Sequence, residues 1–105
     1  MAITNSQLSS TAKTEVFVGS GENAITCIIL CNTSLTVDTT VTLWAVPAAV
    51  AAGDANMIMN EVSLPAGETF SLDTERFILS DGDSIQAQAS QDLIVTATIS
   101  YVQTA

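Results

Sequence analysis

Ile25-Thr26-Cys27-Ile28-Ile29-Leu30-Cys31-Asn32-Thr33-Ser34 is the longest nearly unbroken apolar run of the chain. It is β-branched at Ile25, Thr26, Ile28 and Ile29, and it lies between Gly19-Ser20-Gly21 and the polar Asn32-Thr33-Ser34. A short β-branched run bounded by turn residues reads as a buried strand. Strict alternation sends Ile25, Cys27, Ile29 and Cys31 to one face and Thr26, Ile28 and Leu30 to the other. Both faces are mostly dry, whereas a strand of a two-layer sandwich is expected to keep one wet face. The second dry face is therefore expected to be covered by loops or by another subunit.

Composition agrees with a β protein. The 105 residues are enough for one domain with a core of its own. Apolar residues make up 48%, drawn mainly from Ala, Val and Ile, and Thr and Ser are abundant. Thr, Val and Ile fit a pleated, half-buried surface. The net charge is −9, and Lys13 and Arg76 are the only basic residues. A chain without cations to neutralise phosphates is not expected to bind nucleic acid or an anionic membrane surface. Residues 1–14 lack the apolar centre of a signal peptide, and no apolar run reaches the ~20 residues of a bilayer span. The chain is thus expected to be a soluble product with its initiator Met in place.

The cysteines are Cys27 and Cys31. Four residues apart on one strand, they would be separated by about 13 Å. A disulfide needs Cα atoms within roughly 7 Å, so no intrachain bridge is expected. The chain has no histidine and no second cysteine pair, so a four-ligand zinc site is not expected either. Both thiols are expected to be small, reduced core residues.

In chain order, residues 1–13 read as a polar arm without either periodicity, ahead of a single β domain over 14–105. Thr14–Val18 forms a first strand, followed by the central run. Val41, Leu43 and Ala45 alternate with Thr40, Thr42, Trp44 and Val46 until Pro47, which cannot donate to a ladder. Residues 48–55 read as an apolar loop holding at most one helical turn, too short to be a helix alone, and Val50 is its candidate contact residue. In the next strand Ile58, Val62 and Leu64 share one face, with Met57 and Met59 on the other. Pro65-Ala66-Gly67-Glu68 and Ser80-Asp81-Gly82-Asp83 are turns. Strands at Thr69–Asp73, Phe77–Leu79, Asp83–Ser90 and Leu93–Val102 complete the series. Turn signals every ~8–12 residues between short alternating strands predict an all-β fold, an antiparallel jelly-roll-like β-sandwich of about eight strands.

Few residues suggest chemistry. Without histidine the common acid–base and triad arrangements are absent. Gly19-Ser20-Gly21 lacks the third glycine and the following helix of a nucleotide loop. Asp81 and Asp83, with Asp73 and Glu75 nearby, form the only acidic cluster. It reads either as a Ca²⁺ site or, more simply, as turn chemistry, and no metal or cofactor is expected. Trp44 reads as a core or interface anchor rather than as a sugar platform. No enzyme is expected.

The order Ala24–Ser34, then Val41–Pro47, a Gly53-Asp54-Ala55-Asn56 loop, Leu64–Thr69, Leu79–Ser90 and a Thr-rich last strand resembles the small β-sandwich virion proteins of tailed bacteriophages. These include head decoration (cement) proteins and tail- or fibre-associated modules. The resemblance spans about Thr14 to Val102. It departs at Gly19-Ser20-Gly21-Glu22-Asn23, where such modules carry a Pro-Ala-Gly turn. It implies a non-enzymatic capsid decoration protein, a homotrimer on the outer shell that contacts the major capsid protein or another virion protein. The candidate interface residues are Ile28, Leu30, Trp44, Val50, Met57 and Met59, with the arm expected to order against the shell. The alternative location is the tail, as a baseplate or fibre module that binds a receptor or carbohydrate.

Overall fold

The computed structural model describes residues 2–72 and 77–103. Its strands are β1 (Ala2–Gln7), β2 (Thr14–Val18), β3 (Asn23–Asn32), β4 (Thr39–Val46), β5 (Met57–Leu64), β6 (Thr69–Leu72), β7 (Phe77–Leu79), β8 (Ser84–Ala89) and β9 (Val95–Gln103). They form two antiparallel sheets packed face to face, an all-β sandwich. The front sheet has the order β1-β9-β3-β6, with β7 pairing the same strand β3, and the back sheet has the order β2-β8-β4-β5.

The pairings are nested. β1 pairs β9, β2 pairs β8, β3 pairs β6 and β7, and β4 pairs β5. The chain is therefore one long hairpin with its tip at the β4–β5 connection. Successive rungs fall alternately in the two sheets, and the β3–β9 and β4–β8 ladders complete each sheet. Between the sheets lie Ile25, Ile28, Leu30, Val95, Ala97 and Ile99 from the front and Val41, Leu43, Ile85, Ala87 and Ala89 from the back. The Phe17 and Tyr101 rings, centroids 4.6 Å apart and tilted by 58°, join the two layers.

The first segment is not an arm. Ala2–Gln7 pairs with β9 along its whole length, from Ala2 opposite Tyr101 to Gln7 opposite Thr96. Leu8 is fully buried, and its backbone bonds Val95 and Leu93. Residues 9–13 stay on the body: Ala89 N–H donates to the Ser9 carbonyl, and Ser10 N–H donates to Asp92 Oδ1. The pattern of small polar residues hides this strand, because an edge strand needs only one modestly apolar face.

Irregularities in three strands reset the inside–outside alternation. In β3 the register jumps between Ile25 and Cys27, so Thr26 is an extra residue. Ile25 therefore joins Ile28 and Leu30 in the core, while Cys27, Ile29 and Cys31 face outward, half-buried. The central strand has one dry face, not two. In β2 the jump at Val16 buries Val16 and Phe17 together. In β5 extra residues fall between Met57 and Met59 and between Met59 and Val62. Met59 then lies opposite Leu43 against the core, in line with Val62 and Leu64, while Ile58 is exposed. Each extra residue flips the strand that follows it to the other face.

The β4–β5 connection holds a 3-10 turn at Asp54–Asn56, later in the chain than the alanine run. Asn56 closes it: Gly53 N–H donates to its Oδ1 and its Nδ2 donates to the Ala51 carbonyl. Ahead of it, Val50 N–H reaches back to the Pro47 carbonyl.

Candidate functional site

The expected interface residues do not form one exposed surface. Ile28 and Leu30 are each 1% exposed inside the sandwich, so they have no surface to offer a partner. Trp44 is 5% exposed, and Met59 packs on the core. Met57, opposite Trp44, is half-buried. Of the six, only Val50 is freely exposed, in the β4–β5 connection.

Trp44 lies on the outer side of the back sheet, yet its own chain covers it. The Lys13 ammonium sits 5.1 Å from the ring centroid, a cation–π distance, and donates to the Ala52 carbonyl at 3.4 Å. Among the described residues Trp44 Nε1 has no hydrogen-bond partner although it is buried. An orphaned N–H of this kind costs about 1–3 kcal/mol. Trp44→Phe removes it and keeps most of the ring, so urea denaturation is expected to register a stability change within about 1 kcal/mol of zero. A loss above roughly 3 kcal/mol, the range of large core truncations, would mean that the N–H has a partner.

The acidic turn is spent on loop architecture. Asp81 Oδ1 accepts from Gly21 N–H at 3.1 Å. Asp83 Oδ1 accepts from Ala48 N–H at 2.9 Å, and its Oδ2 accepts from Ser80 N–H at 2.9 Å. These carboxylates tie three loops together at one end of the sandwich. Asp73 and Glu75 lie outside the described residues. Among the described residues no three His, Cys, Asp or Glu side chains gather as metal ligands.

Two surfaces stand out instead. The first is the outer face of the front sheet. No residue of β1, β9, β3, β6 or β7 is charged; in the strands only Glu15 and Glu61, both of the back sheet, carry charge. Cross-strand ranks run Asn5–Thr98–Ile29–Ser71 and Gln7–Thr96–Cys31–Thr69, with Ile3–Ser100–Cys27 beside them. Thr98 Oγ1 donates to Asn5 Oδ1 at 2.8 Å, and Thr26 Oγ1 bonds Ser100. Ile3 and Ile78 are 67% and 62% exposed at its two edges. Cys27 and Cys31 are free, half-buried thiols on this face and not core residues.

The second is an open groove of about 260 Å³ on the outer side of the back sheet, lined by Ser10, Thr40, Thr42, Glu61, Gln88 and Ser90 over Ala89. Sequence reading missed both surfaces. Thr and Gln at the outward positions of a strand carry no local mark of function, and the groove draws its wall from residues as far apart as Ser10 and Ser90. No family model, curated protein or solved structure matches this chain.

Proposed function

We propose that this chain is a non-enzymatic structural protein of a tailed-phage virion, a capsid decoration protein that binds the outer shell as a homo-oligomer. The observation that supports the reading is the uncharged front sheet. In a chain of net charge −9, copies repel one another wherever their carboxylates meet. The outer face of the front sheet is the broad strand-built surface on which that penalty is absent. Four strand positions about 4.8 Å apart and roughly 30 Å long give some 600 Å², approaching the ~800 Å² per partner of a standard interface. The nested pairing, which alternates rungs between two four-position sheets, supports the jelly-roll form of the sandwich. This assignment moves the contact surface from the core residues Ile28 and Leu30 to Ile29, Thr98 and their neighbours.

Light scattering at micromolar concentration tests the self-association: a trimer is expected. Ile29→Glu, at the centre of the face, is expected to yield monomers with an unchanged β spectrum, because it sets like charges against each other across the contact. A monomeric parent chain, or an Ile29→Glu variant that stays trimeric, overturns the role of this face. Co-sedimentation with phage shells tests the location. Binding to shells supports decoration, and recovery with tails alone replaces it with a tail or baseplate module.

A further inference from the structure

We propose that the groove on the back sheet is a binding site for a neutral, hydroxyl-rich ligand, a single sugar ring at the end or within a glycan chain. The proposal is independent of the virion reading, since the groove and the front face lie on opposite sides of the sandwich.

The groove is built and partly locked. Gln88 Nε2 donates to the Ser10 carbonyl at 2.9 Å, which leaves its Oε1 as an acceptor without a partner among the described residues. Glu61 N–H donates to Thr42 Oγ1 at 3.2 Å, so that hydroxyl keeps its own proton to donate. Ser90 Oγ is held by Thr40 N–H at 2.9 Å and by the Thr39 hydroxyl at 2.9 Å. The Ser10 and Thr40 hydroxyls and the Glu61 carboxylate line the space with no partner among the described residues. Glu61 has a positive φ of 49°, a left-handed conformation that costs a side-chain-bearing residue energy, and the extra residue in β5 places it there.

That inventory selects the ligand class. Glu61 and Gln88 Oε1 only accept; the Ser10, Thr40 and Thr42 hydroxyls also donate. A sugar hydroxyl both donates and accepts, and a carboxylate can take two neighbouring hydroxyl protons at once. An anion would meet Glu61 with no Lys or Arg in the lining to offset it. A hard cation takes six or more oxygens, usually several carboxylates, and this groove has one. An apolar ligand would leave the hydroxyls and the amide unpaired. The volume of about 260 Å³ lies below the ~300–1,000 Å³ of drug-sized pockets, which suits one ring, and the groove is open to solvent. No aromatic ring lines it, so base-plate stacking is absent and affinity for one ring is expected to be millimolar.

The test is a titration of the full chain, labelled with ¹⁵N, against D-glucose, D-galactose, D-mannose and N-acetyl-D-glucosamine. At least one of the four is expected to give saturable amide shifts confined to the neighbourhood of Thr42, Glu61 and Gln88, with Kd in the millimolar range. Glu61→Gln is expected to weaken that binding about tenfold. Glu61 is exposed, so this near-isosteric change keeps the fold, and Thr40→Val, another groove change, is expected to weaken binding as well. Absence of saturable shifts with all four sugars, or equal affinity in both variants, overturns the proposal.

Discussion

Asn32→Asp is expected to remove about 3–5 kcal/mol of stability at neutral pH, a large share of the roughly 5–15 kcal/mol typical of a domain. Asn32 ends β3 and is 1% exposed. Its Nδ2 donates to the Val37 carbonyl at 2.8 Å and to the Leu64 carbonyl at 3.0 Å, and its Oδ1 accepts from Ser34 N–H at 3.0 Å. One amide thus joins the end of the central strand, the β3–β4 connection and the end of β5. A carboxylate keeps the acceptor and loses both donors, so two carbonyls would face a negative charge in a dry site. The introduced group would be forced to a folded-state pKa above its unfolded value of about 3.9. Its penalty is then complete above the folded pKa and shrinks as pH falls toward the unfolded one. Urea denaturation at neutral and at mildly acidic pH measures both effects. A loss below about 1 kcal/mol at neutral pH, or a loss that does not diminish in acid, would show that the site admits water.

Gly19→Ala should cost about 2–3 kcal/mol and lower the melting temperature by roughly 10 °C or more. The obstacle is space. A Cβ at Gly19 would stand 2.5 Å from the Ser80 carbonyl oxygen and 3.4 Å from that of Asp83. Those are backbone atoms, and the turn that bears them is bound to Gly19 itself: Gly19 N–H donates to the Asp83 carbonyl at 2.7 Å and Gly82 N–H to the Gly19 carbonyl at 3.0 Å. Moving the turn away to admit a methyl group would break these bonds and strain those of Asp83 to Ala48 and Ser80. Gly53→Ala is the matched control, because nothing lies within 4 Å of its added Cβ. It should be neutral or stabilise by up to about 1 kcal/mol through the unfolded chain. Equal melting temperatures for the two variants in thermal unfolding would contradict the close approach.

The two changes act at opposite kinds of site. Asn32 is a polar residue that a β pattern marks only as the end of a strand, and its role comes from Val37 and Leu64, which reach it by folding. Gly19 reads as a turn residue from its neighbours Ser20 and Gly21, but the turn it abuts is some sixty residues away in the chain. The Asp83 turn was legible as a turn, since Asp and Gly bond and bend the backbone locally. That its carboxylate also pins Ala48 was not.

By itself the sequence determined the all-β class, most of the strands and the turns between them. These depend on short-range properties: β-branching, period-two alternation, and Gly, Pro, Asn and Asp at the bends. The sequence also leaves the strands with only two charged residues, Glu15 and Glu61. Alternation already gave the inner faces of β4, β8 and β9, but tertiary structure alone decided which residues of β2, β3 and β5 point inside. One extra residue at Thr26, at Val16 or near Glu61 reverses a strand's parity, and a bulge is set by the fit of two ladders rather than by any residue type. It also decided that Ala2–Gln7 is a strand, because the partner that satisfies its backbone, β9, lies at the other end of the chain. The surfaces assigned here follow from those two outcomes. Once Ile25 turns inward with Ile28 and Leu30, Ile29 and the cysteines face outward. Once β5 gains its extra residues, Glu61 reaches the groove.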